Sequence, residues 1–271
     1  MMTSLSSSQH ALVPLLGDVT QTLHAGPASL AGVRIGRRHL VRALAAGAIG
    51  VLLAHVLVIV AAGWRSTGQV SYFVADLPGY VRMLHLDGEH NVPTQFAALL
   101  LLVNAALFLA WSRLRVARAP LFWLLCALAF AFLAVDELFE LHERLGTMLR
   151  EKGGFTGVLY YARILPYATG TLVLAGLALP ALLRLPRRVQ LRLIAAAAVY
   201  LAGAIGTEMI GGHLLTETVQ DRSSLAYLVC ITLEEAFELA GLVLLADALA
   251  RGAPPARELE LRLGPSSAAS P

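Results

Sequence analysis

Apolar residues fall into six long runs along the chain, parted by short segments that collect Arg, Pro and Gly. A helix needs about 20 predominantly apolar residues to cross the hydrocarbon core of a bilayer. The runs predict spans at about 42–63, 93–111, 121–142, 164–183, 193–214 and 225–249. The fold class is therefore an all-α polytopic membrane protein, a bundle of six transmembrane helices. Residues 1–38 read as an N-terminal tail, 39–250 as the transmembrane domain, and 251–271 as a Pro-, Ala- and Ser-rich tail expected to be disordered. A weak apolar patch at Ala11–Leu16 has no basic segment before it, which makes it a poor signal peptide.

Composition narrows the class further. Only 14% of the 271 residues are charged and 57% are hydrophobic, with a mean hydropathy of +0.69. A soluble domain carries roughly 25% charged residues, so an ordinary cytosolic enzyme is excluded. The formal charge is +3, and Lys152 is the one basic residue that is not Arg. That is not the mixed basic tail of a nucleic-acid binder, and no nucleic-acid partner is expected.

Basic residues also orient the spans. Fourteen, from Arg34, Arg37, Arg38 and Arg42 through Arg113, Arg184 and Arg192 to Arg262, fall on one side; seven, Arg65, Arg82, Arg144, Arg150, Lys152, Arg163 and Arg222, fall on the other. The richer side is cytoplasmic by this rule, so both termini are expected there, in the cell inner membrane. Trp111 and Trp123 are expected at the inner boundary and Trp64, Tyr160 and Tyr161 at the outer one. Cys126 and Cys230 fall in opposite leaflets. A disulfide needs its Cα atoms within about 7 Å, so both read as small core residues.

The acids carry the chemical signal. Eight of the 18 Asp and Glu residues lie in or at the outer end of three spans: Asp136, Glu137, Glu140 and Glu143, then Glu208, then Glu234, Glu235 and Glu238. One acid at a helix centre costs on the order of 2.5–3.5 kcal/mol on insertion scales. Several together exceed a typical folding stability, so protonation, hydrogen bonding, a wet cavity or bound cations must compensate. No Lys or Arg shares those helical stretches. At about 100° per residue, Asp136, Glu140 and Glu143 share one face of a continuous helix, and so do the three glutamates of the last span. Such stripes must turn away from lipid. The hexapeptides Asp136–Leu141 and Glu234–Leu239 share the pattern acid-Glu-x-Phe-Glu-Leu at an offset of 98 residues. On spans running in opposite directions, this points to a 3+3 inverted repeat.

Glu-x-x-Glu pairs on two helices and single acids elsewhere suit divalent metal. Di-iron bundles use one Glu from each of two helices and Glu-x-x-His from two others; this chain has no Glu-x-x-His. The oxygen-rich set suits Mn, Mg, Ca or Fe(II). His142 and His213 would extend the choice to Zn, whereas His55 reads as an interhelical hydrogen-bonding residue. In the outer loop, Glu89 would sit at the mouth, Asn91 or Thr94 would cap the second span at Pro93, and Asp87-x-x-His90 has the spacing of a metal clip. The candidate ligands are thus Glu89, Asp136, Glu140, His142, Glu143, Glu208, His213, Glu234 and Glu238, with Fe, Mn or Zn as the cofactor. Glu137 and Glu235 are the candidates for general acid–base work.

The motifs Glu89-x-Asn91-x-Pro93-Thr94, Asp136-Glu137-x4-His142-Glu143 and Glu234-Glu235-x-x-Glu238 resemble those of an uncharacterised family of bacterial multi-pass membrane proteins, over roughly residues 70–245. The chain departs from that family at Gln95, where an aromatic is usual. The resemblance implies that these acidic positions belong together, and carries no activity.

Three functions follow from this pattern. One is a metal-dependent membrane enzyme, an oxidoreductase before a hydrolase, acting on a lipid-soluble substrate such as a quinone. Another is a proton- or cation-coupled transporter, for which paired acids on inverted repeats are a signature. The last is a non-catalytic subunit of a membrane complex whose acids hydrogen-bond one another. Membrane lipid is the expected surrounding in all three, with the site toward the periplasmic side.

Overall fold

The computed structural model describes residues 33–65, 79–113, 119–219, 222, 224–252 and 258–261. The chain divides into two units: Arg34–Leu259, which holds the helical body, and the chain ends, of which only Val33, Glu260 and Leu261 are described. The expected tails at 1–32, 253–257 and 262–271 and the loop 66–78 lie outside the described residues. Four-residue strands at Val33–Gly36 (β1) and Glu258–Leu261 (β2) flank the body in sequence.

The body is helical: α1 Arg37–Arg65, α2 Gly79–Arg82, α3 Val92–Arg113, α4 Pro120–Phe139, α5 Leu141–Gly153, α6 Ile164–Leu182, α7 Arg187–Leu201, α8 Glu208–His213 and α9 Leu225–Gly252. Among the described residues, five helical stretches are long and apolar enough to cross a membrane: Arg37–Ala61, Val92–Arg113, Pro120–Phe139, Ile164–Leu182 and the run Arg187–Thr218. The last contains α7, α8 and two π-helical segments, Ala202–Thr207 and Leu214–Thr218. Helix α9 is long enough at 28 residues but carries Glu234, Glu235 and Glu238. Below, the loop end of the body means the end where α4 stops and α3, α6 and α9 begin.

Packing concentrates at the opposite end and along two seams, α3 with α4 and α7 with α9. Phe108, Trp111, Trp123, Leu242, Ala246 and Leu249 are buried in one apolar core. Trp111 and Trp123 were expected at the lipid boundary; they are instead 3% and 2% exposed, and the Trp111 indole donates to the Leu249 carbonyl at 3.0 Å. A buried N–H needs such a partner, and a C-terminal helical carbonyl supplies one. Asn104, deep in α3, donates to Leu100 O at 2.9 Å and across to Leu242 O at 3.1 Å, tying α3 to α9. At Gly241 an added Cβ would lie 2.6 Å from the Tyr200 backbone nitrogen, and at Gly203 it would lie 2.7 Å from the Glu234 carbonyl. Glycine at both places lets the α7–π strip lie directly on α9. Cys126 and Cys230 are free and buried, as expected of core residues.

Two expectations about helix geometry are corrected. The third span does not run on to His142. It stops at Phe139, and Glu140 takes the left-handed conformation (φ 54°, ψ 36°) before α5 begins. A side chain there costs roughly 1–2 kcal/mol relative to glycine. Asp136, Glu140 and Glu143 therefore do not form one helical stripe. The two similar hexapeptides also differ in backbone, because α9 continues unbroken through Glu234–Leu239 whereas α4 breaks at Glu140.

Candidate functional site

The site begins with the loop between α2 and α3, which hydrogen bonds make rigid. The Asn91 amide donates to His85 O and Gly88 O at 2.7 Å each, while its Oδ1 accepts the Thr94 N–H at 3.1 Å. Asn91 is thus the cap of α3, with Pro93 in the first turn, as the sequence predicts. Beneath the loop His55 and His85 meet edge to face at 5.1 Å. His55 Nδ1 accepts the Leu86 N–H at 3.2 Å and its Nε2 lies 3.4 Å from Thr232 Oγ1 on α9. That is the interhelical role expected of it. Burial holds His85 neutral, with its pKa lowered to about 4.

Across from the loop, Asp136 organises the break between α4 and α5. Its Oδ1 accepts the His142 N–H at 2.7 Å, capping α5, and its Oδ2 accepts the Tyr167 hydroxyl at 2.7 Å from α6. The His142 ring lies 3.5 Å from the same carboxylate through Nδ1, so Nε2 is the nitrogen left to face outward. The left-handed Glu140 meets the only other described non-glycine residue of positive φ, His90 (φ 55°), at 2.7 Å. Asp87 turns inward, where Tyr227 donates to it at 3.2 Å and Arg222 lies 3.5 Å away. Burial raises the Asp87 pKa, a rise that Arg222 and Tyr227 partly offset. The Asp87–His90 metal clip is therefore not formed, because each residue has a different partner.

Between loop and break, the helices enclose a cavity of about 450 Å³. Its walls bring together the acids singled out in the sequence: Glu89, Asp136, Glu137, Glu140, Glu143, Glu208, Glu234, Glu235 and Glu238, with Asp87 as a tenth, and His142 beside them. His213 is exposed on α8 and does not line it. Glu89, His142 and Glu143 each place one ligand atom within 4.8 Å of the others; among the described residues no other such trio occurs. Burial raises the Glu89 pKa, as expected for an acid drawn among others. No hydrogen bond or ion pair to a described residue reaches the carboxyls of Glu137, Glu234, Glu235 and Glu238.

Sequence reasoning missed Arg163. It was counted among boundary charges, yet its side chain is only 15% exposed and reaches into the acidic cavity. Its guanidinium pairs with Glu143, lies 2.5 Å from Glu208 Oε1 through Nε, and stacks over Tyr161 at 4.9 Å. The Nε–H is not aimed at the Glu208 oxygen, so that contact is an ion pair and not a directed hydrogen bond. The turn Tyr160–Arg163 brings the arginine back over the cavity, and position alone gave no sign of that. Even so, Arg163 and Arg222 are two fixed cations against ten carboxylates. Coulomb repulsion among like charges a few ångströms apart is strong at low dielectric, so protons or bound cations must neutralise the rest.

The family model described as a domain of unknown function (DUF8692) matches residues 48–251, a stretch that contains every lining residue of the cavity. No curated protein and no solved structure matches the chain. The chain belongs to the DUF8692 family.

Proposed function

We propose that this member of the family is a six-span, metal-dependent membrane enzyme, with α9 as its sixth span and the cavity toward the periplasmic side of the inner membrane. Both termini are then cytoplasmic. One observation carries the reading: among the described residues, ten carboxylates and a histidine from five separate segments surround one cavity lined by two arginines. An excess of buried anions is stable only with protons or cations among them.

Glu89, His142 and Glu143 form the starting ligand set for a divalent ion. Asp136 holds the His142 ring from behind, the arrangement by which a carboxylate orients a metal-bound imidazole. A mixed O/N set fits Mn, Fe(II) or Zn. The ion would supply Lewis acidity or redox chemistry to a lipid-soluble substrate, such as the quinol form of a quinone or a molecule of that kind. Glu137 and Glu235, without a hydrogen bond or ion pair to a described residue, take and return the substrate's proton.

An observation on the fold favours an enzyme over the transporter. Below Glu238 the body closes on Asn104, Leu242, Leu249 and the two tryptophans, all buried. A transported ion would have to pass that apolar plug. Purified protein in mild detergent should contain divalent metal near one ion per chain, lost on Glu143→Gln. Metal-free wild-type protein of unchanged melting temperature would refute the metal reading, and cation flux into liposomes would favour transport.

A further inference from the structure

The cavity is lined by charged groups at the loop end and by half-exposed, largely apolar residues at one flank. Over the loop end lie the Asp87–Tyr227–Tyr161 chain, Arg222, and the His90–Glu140 and Arg163–Glu143 pairs. One flank is built differently. Tyr167 and Thr171 of α6 form one lip, and Leu201, Ala204 and Ile205 of the α7–π strip form the other. These two segments are joined by the short turn Leu183–Pro186. Along their lengths, however, α6 packs on α4 while α7 and its π segment pack on α9. The five lip residues are each half-buried, so they reach both the cavity and the outer surface of the helices. Thr171 lies seven residues into α6, about 10 Å below its start at 1.5 Å per residue, which is the level of hydrocarbon in a spanning helix.

We infer that the substrate enters sideways from the bilayer through the seam between α6 and α7, and is an amphiphile with a hydrogen-bond-donating head, a hydroxyl or an amine. This rests on the reading above that the cavity is a substrate site. The apolar tail stays between the helices, where Leu201 and Ile205 offer it hydrocarbon. The head meets Glu137, Glu235 and Glu238, whose carboxyls have no hydrogen bond or ion pair to a described residue; they accept hydrogen bonds, and the ionised ones among them repel a phosphate. Entry through the seam leaves the ion pairs of the loop end in place.

Carbodiimides test the route, because the carboxyl O–H adds across the N=C bond and rearranges to an N-acylurea with nothing lost. The full chain in liposomes is treated with bilayer-partitioning dicyclohexylcarbodiimide or with a permanently charged, water-soluble carbodiimide, and adducts are located by mass spectrometry. The apolar reagent should label Glu137, Glu235 or Glu238 at least fivefold faster than the charged one. Thr171→Phe on one lip, or Ala204→Phe on the other, should slow that labelling severalfold, and two independent variants guard against one failing to fold. Dodecanol or dodecylamine should protect, whichever carries the preferred head, while dodecyl phosphate should not. Equal labelling from water, no labelling by the apolar reagent, indifference to both lip variants, or protection by the phosphate would overturn the proposal. Labelling is repeated after chelation, so a failed metal reading leaves this result standing and a failed seam leaves the metal content unchanged.

Discussion

Removing the guanidinium of Arg163 should be the most damaging single change to the cavity. In Arg163→Met the side chain keeps an apolar stem but loses the guanidinium and its charge. Glu208, with a side chain 6% exposed, then has no counter-ion, and Glu143, 40% exposed, loses its pair. Breaking a buried pair from one side costs about 3–5 kcal/mol, because the survivor stays desolvated. The Glu143 share is small, about 0–1 kcal/mol, since water screens it. At about 2–4 °C per kcal/mol for a chain of this size, the melting temperature should fall by roughly 10 °C. Thermal unfolding in detergent, followed by circular dichroism, measures this. The decisive arm is Arg163→Met with Glu208→Gln, in which the orphaned charge is also removed. That double variant should recover more than half the loss, as coupled partners do in a double-mutant cycle. A single variant melting within 2 °C of wild type, or a double variant no better than the single, would refute the role given to the arginine.

Other consequences can be checked with the same assay. His85 is neutral in the fold with a pKa near 4, against 6.5 in an unfolded chain. Its stabilising contribution is therefore whole above pH 6.5 and is lost as pH falls toward 4, by up to about 3 kcal/mol; His85→Phe should flatten the part of the pH–stability curve between those values. Glu140→Gly removes the left-handed strain at a cost of one partly exposed pair with His90, so the variant should be more stable by about 0.5–1 kcal/mol; destabilisation would show the pair to matter more than the strain. Gly241→Ala puts a methyl against the Tyr200 backbone and should destabilise by about 1–3 kcal/mol, while Ala at Gly176, where nothing lies near, should be neutral or stabilising. Asn91→Ala removes the α3 cap and should cost about 0.5–2 kcal/mol.

Much of this architecture was legible along the chain because it follows from local rules. Span position comes from runs of apolar residues, which lipid enforces on each segment separately. The caps at Asn91 and Pro93 were readable for the same reason, since a helix start needs a nearby acceptor for its own N–H groups. The gathering of acids was foreseeable as well: carboxyls on three spans cannot face lipid, so they must face one another. Tertiary structure decided everything that depends on direction in space. Periodicity assumed one helix through Glu140, whereas the backbone turned there because Asp136 could cap a new helix and His90 could meet the displaced carboxylate. Trp111 and Trp123 resembled lipid-boundary anchors by position but were claimed by a core that lined up a carbonyl for the indole of Trp111. Arg163 stood just outside a span in the sequence, and only the fold of the preceding turn carried its charge in among the glutamates. Burial is a property of each segment's own composition; partnership between charges belongs to the packed chain.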